Sequence, residues 1–186
     1  MRVIAPFALA VMLSAPTAHG DEISETIQAA LEAYEAGDVS LAKEELDYAN
    51  QLLGQLKAAG LTDYLPQALP GWTREVGASQ SMGAAAFGGG LLAEADYVKG
   101  SEDLSIRLMA DNPMVAAMAG AMGNAALMGS MGTVKRINRQ KLVVSPDGQV
   151  QSLIDGKVLV QIDGSAPVED KLAYFEQLDI AGLKGF

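Results

Sequence analysis

One change of hydrophobic period, at one breaker-rich segment, constrains this chain more than any other feature. Before residue 62, apolar side chains recur every three or four positions, which is helical spacing. After residue 72 they alternate, which is strand spacing. Between the two lies Tyr64-Leu65-Pro66-Gln67-Ala68-Leu69-Pro70-Gly71-Trp72, whose two prolines and one glycine cannot continue a helix. The organisation expected is a helical hairpin at 21–61, a connector at 62–72 and an antiparallel α+β domain at 73–186.

In the first segment, Ile23, Ile27, Leu31 (with Ala30) and Tyr34 form one helical stripe, and Gly37 is placed to end it. Asp38 is a good N-cap for a second helix, whose stripe is Ala42, Leu46, Ala49, Leu53 and Leu56. Gly60 stops that helix. The pair resembles a single tetratricopeptide-type repeat. Gly37-Asp38 stands at the turn, Ala42, Leu46 and Ala49 take matching positions in the second helix, and Tyr34 falls where such repeats carry an aromatic. Gly54 replaces the terminal proline, and no second copy follows. Such repeats need three or more units to be stable, so a generic amphipathic hairpin is the preferred interpretation.

Past the connector, residues 72–76 are a short strand candidate. Residues 91–98 put Leu91, Ala93, Ala95 and Tyr97 on one face, with Glu94 and Asp96 on the other. Residues 104–110 oppose Leu104, Ile106 and Leu108 to Ser105 and Arg107. Residues 133–138, continuing toward 144, read as a further strand. Pro146-Asp147-Gly148 is a turn, and Asp155-Gly156 is a two-residue hairpin signal joining 149–154 to 157–163. A helix over 167–178, with Val168, Leu172, Phe175 and Leu178 in its stripe, closes the chain. The fold class is therefore α+β: a helical hairpin, then an antiparallel sheet of about five strands packed with an inserted apolar helix and a C-terminal helix. LPQALPGWT, the Gly/Ala-rich loop, the strand pair, the DNPM helix start and the last hairpin resemble a group of uncharacterised exported bacterial proteins. The order of elements is similar to modules of the PsbP/Mog1 type. No site residue carries over from either.

The inserted helix is the uncharged stretch NPMVAAMAGAMGNAALMGSMGTV, residues 112–134. Asn112 is an N-cap and Pro113 suits the first helical position. Met114, Met118 and Met122 recur every four residues. Three roles compete. A membrane span has sufficient length, but Ala and Gly gain little on leaving water, and Asn124 and Ser130 interrupt. A Cu(I) site would use the three thioethers as soft ligands, without the His or Cys that commonly join them. A packed helix needs only that Met fills irregular gaps, and this is preferred. Gly120 and Gly123 each cost about 1 kcal/mol of helix propensity relative to Ala, so the second half is expected to be loose or broken near Gly123-Asn124. A second uncharged run, residues 77–93, contains Phe87. Its Gly88-Gly89-Gly90 is no phosphate loop, since no GK[ST] follows. Beside the Met helix, Phe87 would complete one apolar patch of the kind that meets partners.

Residues 1–20 read as a secretory signal: basic Arg2, an apolar run from Val3 to Leu13, and Ala18 and Gly20 before a cleavage at Asp21. The protein is thus expected to be exported, periplasmic if the source is Gram-negative, with no transmembrane span after cleavage. Residues 21–186 contain neither His nor Cys. That excludes Ser-His-Asp and Cys-His catalysis, Cys/His zinc sites, disulfides and thiol redox chemistry in the mature chain. The chain carries 13 Lys and Arg against 23 Asp and Glu, which argues against nucleic acid. Glu94/Asp96 and Glu102/Asp103 are carboxylate pairs of a type used in glycoside hydrolysis, but they read better as solvated faces. Lys135-Arg136, Arg139 and Lys141 form a local basic spot, taken as balancing the acidic surface. The expectation is a non-enzymatic accessory or binding protein without a cofactor. It would act on a protein or lipid partner in the envelope through an apolar Gly/Ala/Met-rich surface that includes Phe87, Met114, Met118 and Met122. The alternative is Cu(I) handling by the three methionines.

Overall fold

Gly37, in the left-handed region at φ +85°, ends helix α1 (His19–Glu35). Two residues later α2 (Val39–Thr62) begins, with Asp38 Oδ1 accepting from the Leu41 backbone N–H at 3.0 Å. Both caps are those expected from the sequence. The computed structural model describes residues 19–77, 80–82 and 90–186. Phe87 and the first eighteen residues of the expected signal lie outside them. The chain divides into two compact units, one ending at Ala49 and one running from Asn50 to Phe186.

In the first unit the helices meet through small side chains. Ile23, Thr26, Ala30 and Ala33 on α1 and Ala42 and Ala49 on α2 are buried. Ile27, Leu31, Tyr34 and Leu46, which the sequence stripe placed inside, are largely exposed. The seam is rotated because alanines let two backbones approach closely, which leaves the larger residues outside the contact.

The second unit is built on β1 (Thr73–Val76), β2 (Gln80–Met82), β3 (Gly90–Lys99), β4 (Glu102–Ala110), β5 (Thr133–Ile137), β6 (Gln140–Val144), β7 (Val150–Ile154) and β8 (Val158–Asp163). The lateral order is β1-β3-β4-β8-β7-β6-β5, antiparallel throughout, and β2 shares the β3 edge with β1. The sheet thus has seven strands in line, where the sequence suggested about five. The difference arises mainly at Asn138-Arg139. Both residues take positive φ (49° and 65°) and fold residues 133–144 into a hairpin. Without a glycine, that turn carries little sequence signal. Asp155-Gly156, also at positive φ (49° and 71°), turns the chain between β7 and β8 as expected, but Ile154 pairs with Val158, so the loop holds Lys157 as a third residue.

The inserted segment has a topological task. It carries the chain from β4 across β8, β7 and β6 to start β5 at the far edge, four strand spacings or about 19 Å away. An eleven-residue helix rises about 16 Å, and α3 (Pro113–Gly123) spans much of that distance over β7 and β8. Asn112 caps it, with Oδ1 accepting from Met114 N at 2.7 Å. The break comes at Asn124, in extended conformation (φ −99°, ψ 116°), which is C-cap to α3 and N-cap to α4 (Ala125–Met131). Gly123-Asn124 is where the sequence had suggested a break.

The opposite sheet face holds the main core. Ala93, Ala95, Tyr97, Leu104, Ile106, Leu108, Val160 and Ile162 meet Ala58 and Leu61 of α2 and residues of α5 (Val168–Glu176) and α6 (Ile180–Gly185). The closing helix expected over 167–178 is α5, and α6, which was not expected, starts at Asp179, whose Oδ1 accepts from Gly182 N at 2.9 Å. Tyr174 lies 4.5 Å from Tyr97 and edge-on to Trp72 at 5.6 Å between ring centroids. The two phenols fasten the breaker segment: Tyr97 Oη donates to the Pro66 carbonyl at 2.6 Å, and Tyr174 Oη accepts from Leu69 N at 3.1 Å. Lys171 is only 2% exposed, and its Nζ donates to the carbonyls of Gly148 and Gly164 at 2.9 and 2.8 Å.

Candidate functional site

The three methionines of the inserted helix do not share one environment. Successive positions four apart advance around a helix by about 40° beyond a full turn, so the stripe winds. Met114 points outward, 47% exposed. Met118 is partly buried and packs on the second sheet face, where Met109, Val115 and Leu159 form a small cluster. Met122 lines a cleft with Met128, the one buried methionine of α4. Among the described residues, no three His, Cys, Asp or Glu side chains are grouped to hold a metal ion, and no helix is long and apolar enough to cross a membrane.

Of the four candidate carboxylates, Glu94, Glu102 and Asp103 are engaged by neighbouring side chains. Glu94 stands opposite Arg107 across β3 and β4, and its Oε1 accepts from Arg107 Nε at 2.7 Å and Ser105 Oγ at 2.9 Å. Arg107 also reaches Asp163 at 3.5 Å. Glu102 pairs with Lys99 at 3.7 Å, and Asp103 accepts a hydrogen bond from Ser165. Cross-strand pairs of this kind stabilise a sheet surface by a few tenths to 1 kcal/mol.

The first unit presents a groove of about 340 Å³ between α1 and α2. Its floor is Ala30 and Ala42, both buried, and its walls are Ile27, Leu31, Tyr34 and Leu46. These four are 46%, 49%, 66% and 49% exposed. The geometry follows from the seam: alanines at the contact sink the floor, and the large side chains one position away stand on either side. The hairpin ends are fixed by the Gly37–Asp38 turn and, at the other end, by Tyr48 Oη donating to Glu22 Oε1 at 2.8 Å. That bond to a carboxylate holds the Tyr48 phenol above its usual pKa.

The electrostatics of this unit are one-sided. Residues 21–49 carry nine carboxylates against the single Lys43, and Lys43 is paired with Asp47 at 2.8 Å. Most of the chain's net charge of −10 thus sits on the hairpin. The groove is not legible in the hydrophobic period, which places Ile27, Leu31, Tyr34 and Leu46 on one stripe with the buried residues. The available signal was the four alanines at 30, 33, 42 and 49, which offer the helices a closer contact than the large residues beside them.

No protein-family model matches the chain, and comparisons with curated proteins and with solved structures found no match.

Proposed function

We infer that this is an exported binding protein rather than a catalyst, and that the α1–α2 groove receives a cationic amphipathic helix from a protein partner. The observation that carries this is the conjunction, on one small unit, of four half-exposed large apolar side chains and a surplus of carboxylates. An amphipathic helix laid in a groove inserts apolar residues at i and i+4, and a groove of this volume accepts one or two of them. Its flanking Lys or Arg would face the acidic rim, which speeds encounter and selects the sign of the partner. The same charge disfavours a second copy of this chain and an anionic bilayer, each of which would bring like charge against it. Met114 and Leu127, each about half exposed, are separate apolar side chains on the other unit.

Titrating the chain with a Leu/Lys amphipathic peptide and a Leu/Glu peptide of equal length and apolar content tests the proposal. Binding of the basic peptide, with no binding of the acidic one or of phosphatidylglycerol vesicles, is the expected result. Equal binding of both peptides, or retention on the vesicles, would overturn it.

A further inference from the structure

The second unit holds a cleft of about 400 Å³ beneath α3 and α4, at the end of the sheet where the β5–β6 and β7–β8 turns lie. Its floor is Met122, Met128 and Leu153, and one wall carries Arg136, Arg139 and Lys141. Two features of that wall have no structural explanation, the like-charge pair and the ion-pair partners missing among the described residues. Arg136 and Lys141 are direct cross-strand partners, a like-charge juxtaposition that weakens a sheet. Arg139, at φ +65°, is the second residue of the Asn138-Arg139 turn, which sets its side chain beside the other two. None of the three has an ion-pair partner among the described residues, although the chain has ten more acidic than basic side chains. The carboxylate that lines the cleft, Asp155, lies 3.6 Å from Lys157 instead.

Three uncompensated cations beside a thioether and leucine floor match a ligand with a charged head and an apolar body. We propose that this cleft binds a free, single-chain amphiphilic anion, its phosphate or carboxylate held by Arg136, Arg139 and Lys141 and its chain lying over Met122, Met128 and Leu153. The volume is that of a small-molecule site, and a guanidinium presents paired donors suited to an oxyanion head. The site stands on a different unit from the hairpin groove and does not depend on the function proposed for it.

Calorimetric titration with decyl phosphate below its micellar concentration, inorganic phosphate and decanol tests the assignment, on the wild-type chain and on an Arg136→Gln/Arg139→Gln variant. Both arginines are exposed, so the variant is expected to fold, which far-UV circular dichroism checks. Decyl phosphate should bind at least about tenfold tighter than inorganic phosphate, decanol should bind no better than phosphate, and the variant should lose about tenfold or more. Equal affinity of variant and wild type would overturn the proposal. So would decanol matching decyl phosphate, which would make the cleft merely apolar, or phosphate matching it, which would leave the floor without a role. Co-sedimentation with phosphatidylglycerol vesicles at the expense of decyl phosphate binding would move the ligand from a free amphiphile to a bilayer headgroup, and overturn it as stated.

Discussion

Replacing Lys171 by methionine isolates the contribution of one buried ammonium. Lys171 is on α5, 2% exposed, and its Nζ donates to Gly148 O at 2.9 Å and Gly164 O at 2.8 Å. One carbonyl belongs to the turn between β6 and β7, the other to the segment that leaves β8, so the side chain ties α5 to two loops. Methionine keeps the length and apolar stem of the side chain and removes both donors. A hydrogen bond to a charged group contributes about 1.5–3 kcal/mol net, giving roughly 3–6 kcal/mol for the pair. Two effects lower that figure: the desolvation of a buried ammonium is relieved, and Gly164 is exposed, so water can reach its carbonyl. The expected loss is about 2–4 kcal/mol, which for a chain of this size lowers Tm by roughly 5–15 °C. Urea unfolding followed by circular dichroism measures it, with the slope unchanged if only stability has moved. Lys171→Ala, which also removes the stem, should lose about 1–2 kcal/mol more. A Lys171→Met variant as stable as wild type would refute the reasoning, because it would mean that desolvation of the ammonium cancels both bonds.

Two further outcomes follow from local geometry. Asn124→Ala removes the acceptor of Ala126 N at 3.0 Å and Leu127 N at 3.4 Å, so α4 should lose about 1 kcal/mol of local stability. Faster amide exchange at those two positions, and its reversal in Asn124→Asp, checks the cap. The Tyr97 phenol is pushed up to about 12 from 10.0, first by burial, with the nearby Arg74 opposing. Because the folded state favours the protonated phenol, this stabilisation is complete below pH 10 and is lost as pH rises toward 12. Ultraviolet titration should find the Tyr97 phenol still neutral at pH 11 in the folded chain, a signal that Tyr97→Phe removes. Tyr97→Phe should flatten the fall in stability between pH 10 and 12 while lowering stability overall, through loss of the bond to Pro66.

The sheet was legible wherever local chemistry and tertiary packing agree. Leu91, Ala93, Ala95 and Tyr97 alternate with Glu94 and Asp96 because one sheet face is core, and all four are buried. Asn112-Pro113 and Asp155-Gly156 act through their own backbones and side chains, so they cap and turn the chain where the sequence suggests. The Asn138-Arg139 turn was not legible, because nothing local favours an arginine in the left-handed region, and one strand was read where two exist. Nor was the buried lysine, since its partners lie 23 and 7 residues away in sequence. The candidate sites were hidden for a related reason. Hydrophobic period locates the apolar side of a helix but not which part of that side touches its neighbour, so Leu31 and Leu46 read as core. Arg136, Arg139 and Lys141 read as surface charge until α3 and α4 are seen to place Met122 and Met128 beside them.

The central claim, that the α1–α2 groove receives an apolar helix face, is tested most directly by removing its walls at constant charge. Leu31 and Leu46 are each 49% exposed, so Leu31→Gln with Leu46→Gln should leave the hairpin folded and its carboxylates untouched. Completing the burial of a half-exposed leucine gives roughly 1 kcal/mol, and two such losses weaken a basic amphipathic peptide by about 2 kcal/mol, or roughly 30-fold in Kd. A fall of that size in calorimetric affinity, with the charge unchanged, is the result expected. An affinity within about threefold of wild type would show that the peptide is held by charge alone, and would contradict the account.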